Sequence, residues 1–248
     1  MAILQSGWRL RSNSIAGRVW VSSFRAYAIA AMMLVGGVLR FSFLASKSLW
    51  LDEAVTAQRV SLPLRQLITV SARTEMPLYH LIVYGWVLIA GNSEFMLRFP
   101  SALFAVATIP LIAVLGTEVS DGATGLLSAL LLTVNETSIQ YAQNARSYAL
   151  LMMLVTLSSI FFVKSIKRGT LADCTGYVLS GASGSYAHLF GILILPAQWA
   201  SSFLFLTSRR TTKRVQISVV AIGILSVPAL DWPLAEIRDK STGSQGRH

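Results

Sequence analysis

Long stretches of apolar residues recur along this chain, and they constrain its fold more than any other feature. Residues 27–45 and 97–116 are each close to the roughly 20 residues that a helix needs to cross a bilayer. Charged residues make up only 13% of the chain, whereas soluble domains carry roughly 25%. The sequence therefore predicts an integral membrane protein.

The apolar stretches predict an all-α fold, a polytopic bundle of transmembrane helices. Further candidate spans are residues 126–134, 148–163, 177–186, 189–206 and 215–230. Residues 78–90 fall short of the usual spanning length, so we expect this stretch to enter or lie along the membrane without a full crossing.

The segment between the first span and residue 77 is amphipathic. In residues 47–76, leucine and isoleucine positions alternate with arginines: Leu62, Leu64, Leu67 and Ile68 with Arg59, Arg65 and Arg73. This pattern predicts one or two interfacial helices lying on the membrane. Inside the first span, Arg40 comes late enough for us to expect it to snorkel toward the nearby interface.

Basic residues gather in short clusters between the apolar stretches, including Arg9 to Arg25, Lys164 to Arg168 and Arg209 to Arg214. Such clusters favour the cytoplasmic side of a membrane. We therefore expect a cytoplasmic arm (1–26), a transmembrane module (27–230) and a polar tail (231–248), in a multi-pass protein of the cell membrane with Asp52 on the outer face. The net charge of +10 comes with no nucleic-acid recognition motif, which argues against that partner.

Two adjacent carboxylates, Asp52 and Glu53, follow the first span. Charged residues at a membrane boundary mark a functional site by default, and a partly desolvated carboxylate is a better base. We therefore take both as acid–base candidates; the alternative is that they only end a helix in water. Glu75 is either a second acid at the same cavity or an exposed loop residue.

Three basic side chains are further candidates. Arg146 begins an apolar span, where its planar fork of donors suits a phosphate, although an interfacial anchor has the same pattern. Arg98 begins another span and either snorkels or reaches the cavity. His188 lies between two apolar stretches, and no second histidine is near enough in sequence to suggest a metal pair.

Five short motifs occur in order, and together they resemble the integral-membrane glycosyltransferases of the GT-C type, in the branch of protein mannosyltransferases and aminoarabinose transferases. The motifs are Leu49-Trp50-Leu51-Asp52-Glu53-Ala54, Glu75-Met76-Pro77-Leu78-Tyr79, Glu94-Phe95-Met96-Leu97-Arg98-Phe99-Pro100, Tyr141-Ala142-Gln143-Asn144-Ala145-Arg146-Ser147-Tyr148 and Tyr186-Ala187-His188. Each motif alone is weak, but the ordered set is fairly specific.

The resemblance implies sugar transfer from a polyprenyl-phosphate carrier to a glycan, lipid or protein acceptor at the outer face of the membrane. Asp52 would be the base, and Arg146 with His188 would stabilise the departing lipid phosphate. Glu53 and Glu75 would orient the acceptor or a divalent cation, a cofactor that the resemblance leaves open. Tyr79, Arg98, Gln143 and Tyr148 complete the expected substrate-binding set.

The chain departs from the family pattern at Asn144, where a glutamate is common, and at Met76, where a proline is common. Family members are usually about twice as long, so we expect a truncated member. Two alternatives from other classes stay open: a polytopic transporter, whose intramembrane charges would line a path, and a non-catalytic membrane subunit.

Overall fold

The structure, a computed structural model, describes the backbone of residues 15–74, 76–204 and 209–244 and the side chains of residues 23–71, 76–203 and 211–229. In these ranges it has no strand, one 3-10 helix (Leu189–Leu193) and eleven α-helices. The helices are α1 (Ile15–Phe41), α2 (Leu51–Val60), α3 (Leu64–Thr74), α4 (Pro77–Ala90), α5 (Glu94–Val119), α6 (Gly122–Val134), α7 (Glu136–Ala142), α8 (Tyr148–Arg168), α9 (Leu171–Ala187), α10 (Ile194–Leu204) and α11 (Arg209–Ser244).

Three helical segments among the described residues are long and apolar enough to cross a membrane: Ser23–Phe41, Glu94–Val119 and Tyr148–Arg168. Shorter apolar segments are Pro77–Ala90, Gly122–Val134 and Leu189–Phe203. The predicted all-α membrane bundle is confirmed. The first helix begins earlier than the predicted span, α11 extends into the predicted tail, and Glu75 lies outside the described residues.

Polar side chains in short turns begin several of the helices. Ser93 accepts a hydrogen bond from the Met96 amide at the start of α5, and Asp121 accepts one from the Thr124 amide at the start of α6. Asn135 and Thr170 cap α7 and α9 in the same way. Each cap satisfies an N–H group that has no partner inside the helix, so these turns can be short.

Contacts between helix ends establish the direction of each helix in the bundle. Arg25 of α1 lies against Gly122 at the start of α6, and Arg40 reaches Thr133 near the end of α6. Glu118, near the end of α5, pairs with Lys167 near the end of α8. Helices α1 and α6 therefore run one way, and α5 and α8 run the other. We name the two ends of the bundle the Asp52 end and the Lys167 end.

Helix α4 stays in the half of the bundle nearer the Asp52 end. Its Tyr79 contacts Ser101, and its Trp86 donates to the Met96 carbonyl (3.0 Å) and stacks on Phe99. Helix α4 therefore runs antiparallel to the first turns of α5, and its direction points away from Glu118. Helix α4 does not run the length of the bundle, in line with the interpretation that this stretch makes no full crossing.

The second half of the chain forms a second layer around α9. The Tyr177 hydroxyl of α9 donates to Gln198 Oε1 of α10 (2.9 Å), and the Tyr186 hydroxyl donates to the Leu225 carbonyl of α11 (3.0 Å). Ile222 of α11 packs against Gly181, where an added Cβ would come within 2.8 Å of the isoleucine. The Tyr177–Gln198 bond thus joins the two helices that lie on either side of His188 in the chain.

The expectation that Arg40 snorkels is wrong. Its side chain is fully buried and donates to the Leu132 carbonyl (2.7 Å), the Thr133 carbonyl (3.0 Å) and the Ser138 hydroxyl (2.9 Å). The carbonyl groups at the end of a helix have no partner within the helix. They offer the guanidinium acceptors inside the bundle, which the sequence pattern of α1 alone does not reveal.

Candidate active site

The first turn of α2 carries Asp52 and Glu53, and the two carboxylates have opposite surroundings. Successive residues of a helix point about 100° apart, so two adjacent carboxylates cannot both face the core. The side chain of Asp52 is 52% exposed, whereas that of Glu53 is 1% exposed. The predicted acidic pair is thus one accessible carboxylate and one buried carboxylate.

Glu53 forms a bidentate ion pair with Arg98 at the start of α5. Arg98 Nε donates to Oε1 (2.8 Å) and Nη2 donates to Oε2 (2.6 Å). The Ala145 amide also donates to Oε1 (2.8 Å). Burial raises the pKa of the Glu53 carboxyl, but the hydrogen bonds from Arg98 and Ala145 and the charge of Arg98 outweigh it, so the pKa lies below its ordinary value. Glu53 is therefore held as a carboxylate.

Every donor of Arg98 is engaged. Besides the two bonds to Glu53, Nη1 donates to the Leu44 and Lys47 carbonyls and Nη2 donates to the Ser48 carbonyl. A guanidinium has five N–H groups, and these contacts use all of them. Arg98 thus joins α5 to α2 and to the loop that follows α1, and it has no N–H left for a phosphate.

The amide contact of Glu53 brings the loop between α7 and α8 to α2. Arg146, in that loop, lies with its Nη2 3.9 Å from Asp52 Oδ2. Its carbonyl accepts from the Ser101 hydroxyl (3.1 Å), which is in turn bonded to the buried Tyr79 hydroxyl (2.8 Å). Three helices, α2, α4 and α5, and the α7–α8 loop therefore hold Asp52 and Arg146 side by side.

Gln143 holds the end of α1. Its Nε2 donates to the Leu39 carbonyl (3.1 Å) and to the Ser42 carbonyl (3.0 Å). Both N–H bonds of the amide group are thus directed at the last turn of α1. In the structure, Gln143 joins the α7–α8 loop to α1, whereas the sequence had placed it in the substrate-binding set.

Tyr148 and His188 meet in an aromatic cluster. Their ring centroids lie 5.2 Å apart, and Tyr141 and Phe190 extend the cluster on either side at 4.7 Å. The His188 Nδ1 accepts from the Phe190 amide (3.1 Å), so this histidine begins the 3-10 helix. The cluster lies at the start of α8, where Tyr148 follows Arg146 by two residues.

A cleft of about 450 Å³ opens between the loop after α1 and helix α7. Ten residues line it: Phe43, Ser46, Lys47, Ser48, Trp50, Glu53, Arg98, Gln140, Gln143 and Asn144. Glu53 and Arg98 lie among these residues, but their polar atoms already bond to each other and to the backbone. The groups left for a ligand are mainly aromatic rings, side-chain amides, hydroxyls and the Lys47 ammonium. The cleft has a size typical of small-molecule sites, and Asp52, Arg146 and His188 are not among its lining residues.

Sequence reasoning missed part of this cleft. Phe43 is 80% exposed and has φ of 65°, a backbone conformation that is uncommon without glycine and clusters at functional sites. Lys47 and Gln140 also line the cleft. Two signals were available: Lys47 lies two residues before the Asp52 motif, and Gln140 lies one helical turn before Gln143.

No group of three or more histidine, cysteine, aspartate or glutamate side chains that could hold a metal ion is found in the part of the chain that the structure describes. Glu75, the expected partner for a divalent cation, is not in that part.

Residues 74–232, more than half of the chain, match the family model described as dolichyl-phosphate-mannose-protein mannosyltransferase. The match includes Arg98, Arg146 and His188 and begins after Asp52 and Glu53. No curated protein matches the chain.

Proposed function

Because the chain belongs to the dolichyl-phosphate-mannose-protein mannosyltransferase family, which is of the GT-C type, we propose that this membrane glycosyltransferase moves a sugar from a polyprenyl-phosphate carrier to an acceptor hydroxyl at the outer membrane face. The observation that carries the proposal is the pairing of an accessible carboxylate, Asp52, with Arg146 at 3.9 Å. Helices α2, α4 and α5 and the α7–α8 loop support the position of this pair.

Asp52 is the base in this proposal. Its carboxylate takes the proton of the acceptor hydroxyl while that oxygen attacks the anomeric carbon of the sugar. The bond from the anomeric carbon to the phosphate oxygen breaks, and the polyprenyl phosphate leaves with the electron pair. Asp52 suits this task better than Glu53 because a base must reach the proton that it abstracts, and Glu53 is enclosed by its own hydrogen bonds.

Arg146 stabilises the departing phosphate. Negative charge grows on the phosphate oxygens in the transition state, and a fixed guanidinium there lowers the barrier. Arg98 also has a fixed position at this end, but its five N–H groups are engaged. The phosphate is therefore assigned to Arg146, and Arg98 with Glu53 is assigned the task of positioning.

The remaining candidates divide between contact and support. Tyr148 and His188 offer ring faces beside Arg146, suited to the sugar or the first prenyl unit. Tyr79 and Gln143 support the loop that carries Arg146, since their polar groups bond to Ser101 and to α1. Glu75 stays a predicted contact of the acceptor or of a divalent cation.

The distribution of charge supports the outer-face location. The Lys167 end carries Arg25, Lys167 and Arg168, and basic residues favour the cytoplasmic side. In a Cys174→Ser background, Ser48→Cys at the Asp52 end should react with an impermeant thiol reagent from outside, and Ser120→Cys at the Lys167 end should react after the membrane is opened. Labelling of Ser120→Cys from outside would reverse the orientation.

The test of the chemistry is Asp52→Asn, which keeps the size of the side chain and removes the base. In membranes given a mannosyl polyprenyl phosphate, we expect the release of polyprenyl phosphate to fall by roughly 10²- to 10⁴-fold, the contribution of general base catalysis. Binding of the donor should change little, because the base acts on the acceptor.

Arg146→Gln is the matched comparison, since it should weaken donor binding as well as turnover. Near-parental release of polyprenyl phosphate by a folded, correctly inserted Asp52→Asn variant would overturn the assignment of the base.

A further inference from the structure

Arg40 is a fully buried arginine inside the first apolar helix, and its guanidinium lies where two helices end. Besides its bonds to the Leu132 and Thr133 carbonyls and to Ser138, Nη1 donates to the Gly36 carbonyl of its own helix (3.3 Å). An arginine side chain keeps its charge in proteins. A charge is costly at this depth unless it is paired.

Within the described part of the chain, no carboxylate forms an ion pair with Arg40; the end of α6 takes that place. The carboxyl end of a helix carries a partial negative charge, and Leu132 and Thr133 supply carbonyl groups from the last turn of α6. The guanidinium also bonds to Ser138 in α7, so one side chain joins α1 to both sides of the α6–α7 break at Asn135.

The same turn of α1 is held from a second direction by Gln143, which bonds to the Leu39 and Ser42 carbonyls. Arg40 therefore acts from inside the bundle and Gln143 from the α7–α8 loop, on one turn. The cleft has two walls next to these contacts. One wall is residues 43–48, which follow α1, and the other is residues 140–144, which include the end of α7 and the start of the loop after it.

We propose that Arg40 is a positioning residue, which holds the two walls of the cleft at their working separation. Its hydrogen bonds within the described residues go to none of the residues that line the cleft, so it acts through α1 and α7. That this separation matters for sugar transfer rests on the proposed function, whereas the separation itself can be measured without any substrate.

Gly36 provides the close approach that Arg40 needs. A Cβ added there would collide with Ile109 of α5 and would lie 3.2 Å from Arg40 Nη1 and 3.6 Å from Thr133. At the adjacent Gly37 an added Cβ would meet no atom within 4 Å. Gly36→Ala and Gly37→Ala are therefore a matched pair: the same change in composition, with and without crowding of the Ile109 side chain and the Arg40 guanidinium.

The separation of the walls is tested by cross-linking in a Cys174→Ser background. Cysteines at Ser46 and Asn144, one on each wall, are joined by a short bifunctional thiol reagent. A reference pair at Ser185 and Ser226, whose hydroxyl oxygens lie 2.9 Å apart between α9 and α11, reports whether the rest of the bundle is folded. Three variants are compared with the parent: Gly36→Ala, Gly37→Ala and Arg40→Lys, which keeps the charge but has one nitrogen in place of the fork.

We expect Gly36→Ala and Arg40→Lys to lose cross-linking of the cleft pair while the reference pair and the Gly37→Ala variant stay at the parental rate. If the proposed function holds, transfer should fall by roughly 10²-fold, the cost of misplacing reacting groups by about 1 Å. Parental cross-linking of the cleft pair in both variants would overturn the proposal. So would loss of both pairs together in both variants, because Arg40 would then be a folding residue without a separate effect on the cleft.

Discussion

Two pairs of glutamate and arginine lie at opposite ends of the bundle. They join the same two residue types but differ in burial and in the number of hydrogen bonds. At the Asp52 end, Glu53 and Arg98 are 1% and 5% exposed and meet through two bonds of 2.6 and 2.8 Å. At the Lys167 end, Glu118 and Arg168 are 17% and 56% exposed and meet at 2.9 Å. Glu118 also pairs with Lys167 at 3.8 Å.

Burial makes stricter demands on the geometry of an ion pair than exposure does. Removing two charges from water is costly, so a buried pair is retained only with near-ideal geometry and further hydrogen bonds. The Glu53–Arg98 pair meets this condition by bonding to the backbone of two loops, and it thereby locates Asp52 and Arg146. The Glu118 pairs remain in contact with water. They mark the basic end of the bundle but do little to hold the helices in position.

The largest expected effect comes from breaking the buried pair. Arg98→Met should lower the free energy of unfolding by about 3–5 kcal/mol, because it leaves Glu53 buried without its cation. Unfolding of the detergent-solubilised protein, followed by the helical circular dichroism signal, measures this loss. Arg168→Met is the matched control at the exposed pair. Equal losses of stability for the two variants would contradict the claim that burial distinguishes the two pairs.

The pH dependence of stability tests the same carboxylate. The folded-state pKa of Glu53 lies below its ordinary value, so Glu53 stabilises the fold at neutral pH and loses this contribution as pH falls through the folded-state pKa. One group changes stability by at most about 1.4 kcal/mol per pH unit. The unfolding midpoint of the parent should therefore fall toward that of Glu53→Gln below about pH 4, near the ordinary range of glutamate. Parallel curves for the two proteins would contradict this.

The sequence predicted the bundle and the gathering of its polar motifs, because apolar length and basic clusters act locally. Asp52 and Arg146 do form a pair, and Tyr148 meets His188. The resemblance pointed to Asp52 as the base, but the residues themselves did not show which of Asp52 and Glu53 is buried. That depends on where Arg98 arrives, 45 residues further along the chain.

Arg40 illustrates the same limit. Its position in the first span suggested snorkelling, since the sequence shows the distance to the interface and not the neighbours inside the bundle. The carbonyl groups that accept its hydrogen bonds from α6 lie 92 and 93 residues further along the chain. Contacts of that range follow from helix packing, which a single sequence does not reveal.

A smaller effect is expected at the buried hydroxyl pair that supports the Arg146 loop. Tyr79→Phe removes the hydrogen bond to Ser101 (2.8 Å), and a bond of this kind contributes about 0.5–1.5 kcal/mol. The loss should appear in the same unfolding measurement. Tyr27→Phe, at a tyrosine that is 76% exposed, should have no comparable effect, and equal effects at the two sites would remove Tyr79 from the support of the loop.

The smallest effect is expected at the exposed pairs. Glu118→Gln removes the carboxylate partner of Lys167 and Arg168, yet we expect a loss of about 0–1 kcal/mol, because surface ion pairs gain little in water and order long side chains. Raising the ionic strength should erase the difference between the variant and the parent, since exposed charges are screened. The same salt should leave the loss caused by Arg98→Met in place, because buried pairs are screened much less. A loss at Glu118 that matches Arg98→Met and resists salt would mean that the Lys167 end is held as rigidly as the Asp52 end, and burial would then not be what distinguishes the two pairs.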